Sequence, residues 1–303
     1  MKSSNIGGQA VMEGVMMRNA DKYAVAVRKT DGEIVVKTEE YKGIVQNKKI
    51  RSLPIIRGVF SFIDSMVLGM STLTYSASFF MDEEEEEKDE KKESVMMGLT
   101  IACSVVMAVA IFMILPYFLS QLFRKFTDST TLITLLEGAV RLVIFFGYIL
   151  LISRMKDIQR VFMYHGAEHK CINCIEHGME LNVENVLKSS RLHKRCGTSF
   201  LFIVMIVSIL FFLFIRIESP IWRVVFRLLL IPVIAGVSFE FIRLAGKSEN
   251  KLVILLSKPG MMLQKLTTRE PDASMAEVAI ASVEAVFDWR AYLKENFGWQ
   301  EKV

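Results

Sequence analysis

All four histidines of this chain, His165, His169, His177 and His193, fall within 29 residues, and Cys171, Cys174 and Cys196 stand among them. A single histidine is most often structural. This concentration of imidazole and thiol is instead what a borderline-soft transition metal requires, zinc first, with iron or manganese as alternatives. Residues 156–177 hold no proline and one glycine, Gly166, so they read as a helix that Gly178 ends. His165 and His169, four apart, then share a face. His165-Gly-Ala-Glu-His169 is an H-x-x-E-H pattern, the inverted form of the zinc-protease helix, in which two histidines bind the ion and the glutamate serves its water. Zinc can lower the pKa of a bound water from 15.7 toward about 7, and the Glu168 carboxylate could take the remaining proton. Glu168 reads equally as a partner for Lys170, for Arg160 or for the second nitrogen of a ligand histidine.

Cys171-x2-Cys174-x18-His193-x2-Cys196 competes for the same ion, because it has the spacing of a closed structural zinc site with no room for water. Spacing alone leans toward that closed site.

The elements that must position these residues are membrane helices. With 52% hydrophobic residues and a mean hydropathy of +0.35, the chain exceeds what a soluble core needs. Four apolar runs, about 95–118, 132–152, 199–215 and 224–242, are long enough to cross roughly 30 Å of hydrocarbon. Eleven Lys and Arg precede Gly58, eight lie between Arg154 and Thr198, and Arg243, Lys247 and Lys251 follow the last run. The positive-inside bias therefore puts both termini and the 154–198 loop in the cytoplasm of a multi-pass cell-membrane protein. A reducing compartment leaves the four cysteines free for metal or chemistry. The opening residues lack the apolar core of a cleavable signal.

Residues 1–53 form a cytoplasmic segment with a β-hairpin, since 23–28 and 33–38 alternate around an Asp31-Gly32 turn. Residues 54–81 read as an amphipathic interfacial helix, a fifth span being the competing reading. Residues 82–94 are an acidic linker, with nine acids and three lysines between 82 and 93. The four spans and the His/Cys loop occupy 95–245, and 246–303 make a helical tail in which 273–287 is amphipathic. Glu240 reads as a partner of Arg243 or a group reaching the metal loop, and Glu137 as an internal pair with Arg141. No nucleic-acid motif is present, and topology accounts for the basic excess. The fold class is mainly α, a polytopic bundle of about four spans with a small cytoplasmic hairpin.

Gly7-Gly-Gln-Ala-Val-Met-Glu-Gly-Val-Met-Met-Arg18, Tyr164-His-Gly-Ala-Glu-His-Lys170, Glu176, Val183-Glu-Asn-Val186 and His193-Lys-Arg-Cys-Gly-Thr-Ser199 together resemble the YqhQ-like bacterial membrane proteins. That family is of unknown function and is commonly labelled predicted metal-dependent enzymes, and the likeness covers most of the chain. It implies His165, His169, His193 and Cys196 as metal ligands and Glu168 beside them, and it leaves out the Cys171/Cys174 pair. The expected activity is that of a metal-dependent hydrolase at the cytoplasmic face, acting on a membrane-associated protein or lipid. The alternative is a non-catalytic factor for insertion, assembly or transport, stapled by its metal. Four protein ligands would leave water no place unless one of them stands off. The oligomeric state is not readable from the sequence.

Overall fold

The computed structural model describes residues 2–80, 90–215, 217, 219–247 and 250–300; most of the acidic stretch 82–94 lies outside them. Four strands, β1 (Gly7–Val11), β2 (Gly14–Asn19), β3 (Lys22–Arg28) and β4 (Ile34–Glu40), pair antiparallel in chain order. The helices follow as α1 (Lys48–Ser52), α2 (Ile56–Ser78), α3 (Glu90–Val109), α4 (Leu115–Gln121), α5 (Thr130–Ile152), α6 (Lys156–Glu176), α7 (Val183–Lys188), α8 (Gly197–Phe214), α9 (Pro220–Lys247), α10 (Lys251–Thr267), α11 (Ala273–Val286) and α12 (Trp289–Phe297). A π-helical stretch, Ala110–Ile114, joins α3 to α4 just ahead of Pro116. A one-residue widening of this kind is a usual accommodation of a proline in a long helix.

Contacts divide the chain into two compact units, Met1–Phe80 with Ser153–Phe202 and Ala235–Val303, and Met81–Ile152 with Ile203–Ile234. In the first unit the sheet is covered on both faces. Ala24 and Ala26 of β3 and Val15 and Met17 of β2 enter one core with Tyr164, Ile172, Val278 and Val283 of α6 and α11. The alternate residues, Tyr23, Val25 and Val27 with Val11 and Met16, enter another with Leu68 of α2. The period of two that suggested a hairpin therefore extends to four strands. β3 and β4 are the expected hairpin; β1 and β2 correct it. Their turn is only Met12-Glu13, with Glu13 at a φ of 48°, and Gly14 opens β2 where a Cβ would lie 2.3 Å from the Ala26 carbonyl oxygen. Glycine-rich sequence here encodes close strands, not a loose segment.

Among the described residues five helices are long and apolar enough to cross a membrane, within 56–78, 98–125, 130–152, 197–214 and 221–245. The count of four is thus not fixed by the fold. α2 is the least apolar, with a mean hydropathy of 1.2 against 2.0 to 2.6 for the others, and it buries Asp64, which accepts from the Ile44 N–H (2.8 Å) and the Tyr41 hydroxyl (3.1 Å). Arg57 of α2 pairs with Glu240 of α9 through Nε and Nη2, and Arg243 adds a contact at 3.6 Å. Glu240 is therefore a structural partner and does not reach the His/Cys loop.

In the second unit Glu137 pairs with Arg141 at 3.0 Å, as expected, and also with Arg227 at 2.5 Å, all three buried. Ser208 accepts from Arg141 at 2.9 Å. Three charges sharing hydrogen bonds is the arrangement that makes ionised groups tolerable away from water.

Candidate metal centre

α6 carries the centre. It is buried almost without interruption from Gly166 to Glu176 and ends where Gly178 takes a φ of 79°. The 267–271 segment crosses it so closely that a Cβ on Gly166 would lie 2.0 Å from the Arg269 carbonyl oxygen, and the Arg269 N–H donates to Phe162 O at 2.8 Å. This is why the one glycine inside the helix is there. On the opposite side α6 clamps the loop that follows α7. Buried Lys170 donates to Leu187 O (2.8 Å) and Ser189 O (2.7 Å), and Asn173 to Ser190 O (2.6 Å) and Leu192 O (3.0 Å).

These two clamps set the histidines. His165 Nδ1 lies 2.9 Å from Thr267 O and His169 Nδ1 lies 2.6 Å from Arg191 O. A carbonyl only accepts, so Nδ1 is the donor in each ring, and in the neutral imidazole this leaves the Nε2 lone pair for a ligand. The Cys196 sulfur lies 3.3 Å from His165 Nε2, close to the roughly 3.5 Å that separates N and S ligands on one tetrahedral zinc. His165, His169 and Cys196 each offer a ligand atom, and the three atoms lie within 4.8 Å of one another. Thr198 supports the sulfur with its N–H at 3.4 Å and its hydroxyl at 3.1 Å. The donor set, two oriented imidazoles and a thiol, fits a zinc-type ion.

Glu168 stands on the same face, 5% exposed, with a carboxylate oxygen 3.9 Å from His165 Nε2. Burial pushes its carboxyl above the usual range, against the pull of His165 and the Gly8 amide. β1 comes close enough that a Cβ on Gly8 would lie 3.0 Å from Glu168 Cγ and 2.4 Å from Met16 O. About two turns earlier Arg160 pairs with Glu13, which also accepts from the Tyr164 hydroxyl at 3.2 Å, so the β1–β2 turn is moored to the same face of α6.

His193 is not brought into the cluster. Its Nε2 faces Glu176 at 3.6 Å, and its ring centroid is 5.7 Å from that of His169. Glu176, fully buried, also accepts from the Ser4 N–H (2.7 Å), the Ser4 hydroxyl (2.8 Å) and Arg195. Burial pushes Glu176 up, but the contact with His193, the charge of Arg195 and the Ser4 amide outweigh it and hold the carboxyl at about 2. Burial pushes His193 itself down. It is thus neutral at pH 7, and Arg195 is the cation that keeps Glu176 ionised.

The C-x-x-C pair is not assembled with His193 and Cys196. Cys171 and Cys174 are buried in the core beneath β2 and α11. Burial drives the Cys171 thiol well up and that of Cys174 to about 11, where it donates to Glu180 O at 3.3 Å. His177 caps α6, its Nδ1 2.7 Å from Asn173 O. Sequence reading passed over Gln264. It is fully buried on α10, accepts from His193 N–H (2.8 Å), and donates to His193 O (2.7 Å) and Ser199 Oγ (2.8 Å), thereby holding the segment that carries Cys196. A glutamine amid the leucines and methionines of an amphipathic helix was its only signal.

The apolar helices mark a membrane protein, and α6 together with Cys196 gives it a buried candidate metal centre. The chain belongs to the family described as "Protein of unknown function (DUF1385)", whose model matches residues 53–289. The "Uncharacterized protein YqhQ" of Bacillus subtilis (strain 168) is 36% identical over 301 residues, covering 96% of this chain and 94% of its own. No solved structure matches.

Proposed function

We propose that the protein is a metal-dependent hydrolase of the cell membrane, with its centre on the cytoplasmic side, its ion held by His165, His169 and Cys196, and Glu168 as general base. The observation that carries this reading is the convergence of three ligand atoms within 4.8 Å, both imidazoles having their Nδ1 protons fixed on backbone carbonyls. Three ligands leave a fourth tetrahedral position for water, which the four-ligand set including His193 would close. Two imidazoles and a thiolate suit zinc better than manganese, which prefers oxygen. The ion, when bound, would lower the pKa of a water toward about 7. Glu168 supplies what the metal does not. Its carboxylate lies 3.9 Å from His165 Nε2 in a buried setting that raises its proton affinity, so it could take a proton from water and return it to a leaving amine or alcohol. The Gly8 amide and the packing of β1 hold it in place. Lys and Arg on the 154–198 loop and both terminal segments support the cytoplasmic placement.

Elemental analysis of the purified protein tests the ligands. About one equivalent of metal is expected in wild type and in Cys171→Ala, and loss of it in His165→Ala and Cys196→Ala. Metal that depends on Cys171 and survives His165→Ala would refute the assignment. Glu168→Gln separates enzyme from staple: metal retained with turnover lost supports the hydrolase. Metal and cellular function both retained would leave the ion a structural role, as in a non-catalytic factor for membrane-protein insertion or assembly.

A further inference from the structure

α10 is the helix whose last residue, Thr267, orients His165, and its outer surface has no counterpart in the centre just described. Its buried face is Gly260, Leu263, Gln264 and Thr267, and Gly260 is so close to Ser199 that a Cβ would lie 3.0 Å from that side chain. The opposite stripe, Lys251, Leu255, Lys258, Met262 and Lys265, recurs at alternating spacings of four and three residues and is exposed, Leu255 by 57% and Met262 by 63%. Two features of this stripe point to a lipid surface instead of water. Its charges are of one sign, since α10 contains no acid at all, and no ion pair joins these three lysines to any described residue. Its lysines alternate with large apolar side chains along one line, which lets the alkyl stems lie over acyl chains while the ammonium groups reach phosphates. Position agrees with composition. α10 begins four residues after the end of α9, an apolar helix long enough to span, and its buried face packs on the first turn of α8, another such helix, which starts one residue after Cys196.

We propose that α10 is an interfacial helix that binds anionic lipid headgroups along Lys251–Leu255–Lys258–Met262–Lys265, and that it holds the His165–His169–Cys196 cluster at headgroup depth. Resting on the hydrolase reading, the substrate class is then a bilayer-resident amphiphile whose cleavable bond lies in the headgroup layer, not a soluble cytoplasmic molecule. A soluble substrate would need no such placement, and every side chain of the stripe is exposed.

The test uses the full chain in lipid nanodiscs, with single tryptophans introduced as Met262→Trp and, at a second point on the stripe, Leu255→Trp. Glu277→Trp on α11 is the control, its side chain 51% exposed on a helix packed against the sheet. Emission above the wild-type background is compared in discs carrying acyl-brominated phosphatidylglycerol or acyl-brominated phosphatidylcholine, at equal bromine content. Both stripe probes should be quenched about two-fold more by the anionic lipid, the control by neither, and Lys251→Gln/Lys258→Gln/Lys265→Gln should abolish the preference. Quenching no greater than that of the control overturns interfacial placement, and equal quenching by both lipids overturns headgroup recognition. Metal content is measured on the same samples. Quenching kept in a protein that holds no metal would end the hydrolase reading and leave the lipid-binding helix, whereas metal kept with no quenching would do the reverse.

Discussion

Gln264→Leu is the substitution that most directly probes how the centre is held, because it removes three hydrogen bonds without changing a ligand. Leucine has nearly the volume of glutamine, so the packing of α10 on α8 is kept. The His193 N–H and C=O, bonded at 2.8 and 2.7 Å in the wild type, are left in a buried place with no partner. Each such group costs about 1–3 kcal/mol, so the closed arrangement of the 193–199 segment is weakened by about 2–6 kcal/mol. That arrangement is what sets the Cys196 sulfur 3.3 Å from His165 Nε2. At 1.4 kcal/mol per factor of ten, even the low end of about 2 kcal/mol is roughly a 30-fold loss of metal affinity. Competition against a zinc chelator of known affinity measures it, with thermal unfolding of the metal-free protein to show that the fold persists. A folded Gln264→Leu protein that binds zinc within about threefold of wild type would refute the clamp.

Gly166→Ala should displace the 267–271 segment, since the new methyl would lie 2.0 Å from Arg269 O, and should lower metal occupancy although every ligand remains; metal analysis beside a far-ultraviolet spectrum checks this. Glu176 has a folded-state pKa of about 2, below its ordinary value of 4.5, so its stabilisation is fully present above about pH 4.5 and is lost as pH falls toward 2. Glu176→Gln should therefore cost up to about 3 kcal/mol at neutral pH and flatten the dependence of Tm on pH across that window. Glu137→Gln leaves Arg141 and Arg227 buried without their shared carboxylate and should destabilise by about 3–5 kcal/mol, read as a lower unfolding temperature in detergent, while metal content stays unchanged.

Much of the centre was legible because its signals are local. His165, Glu168 and His169 lie within one helical turn or so, and a helix is enough to bring them to one face. The Glu137–Arg141 pair was legible for the same reason, and Arg227, ninety positions away, was not. Cys171-x2-Cys174 shows the limit of spacing arguments. Its two thiols do share a face of α6, but that face is turned into the core under the sheet, and only the packing of β2 and α11 decides this. His193 lies three residues from Cys196, and the short backbone between them lets one side chain turn to Glu176 and the other to His165. β1 and β2 escaped notice because both faces of β2 are covered, which removes the polar half of the usual alternation, and because their turns, Met12-Glu13 and Ala20-Asp21, place Glu13 and Ala20 at positive φ without a glycine to signal it. Long apolar helices were readable from composition alone. Their number was not, since α2 combines apolar length with a buried aspartate.

The candidate centre draws on Gly8 near the start of the chain, on α6 and the 191–196 loop in its middle, and on Thr267 close to its end. Synthesis proceeds from the N-terminus, and segments that cross a membrane are inserted as they emerge. The carbonyl that orients His165 is therefore delivered only after the apolar helices of the described residues, the last of which ends by Ala245, have been made. No nascent or truncated form ending before residue 267 can hold that imidazole in its ligating tautomer. The candidate ligand arrangement thus requires synthesis through residue 267, beyond the last of the described apolar helices, so the order of synthesis itself delays its assembly.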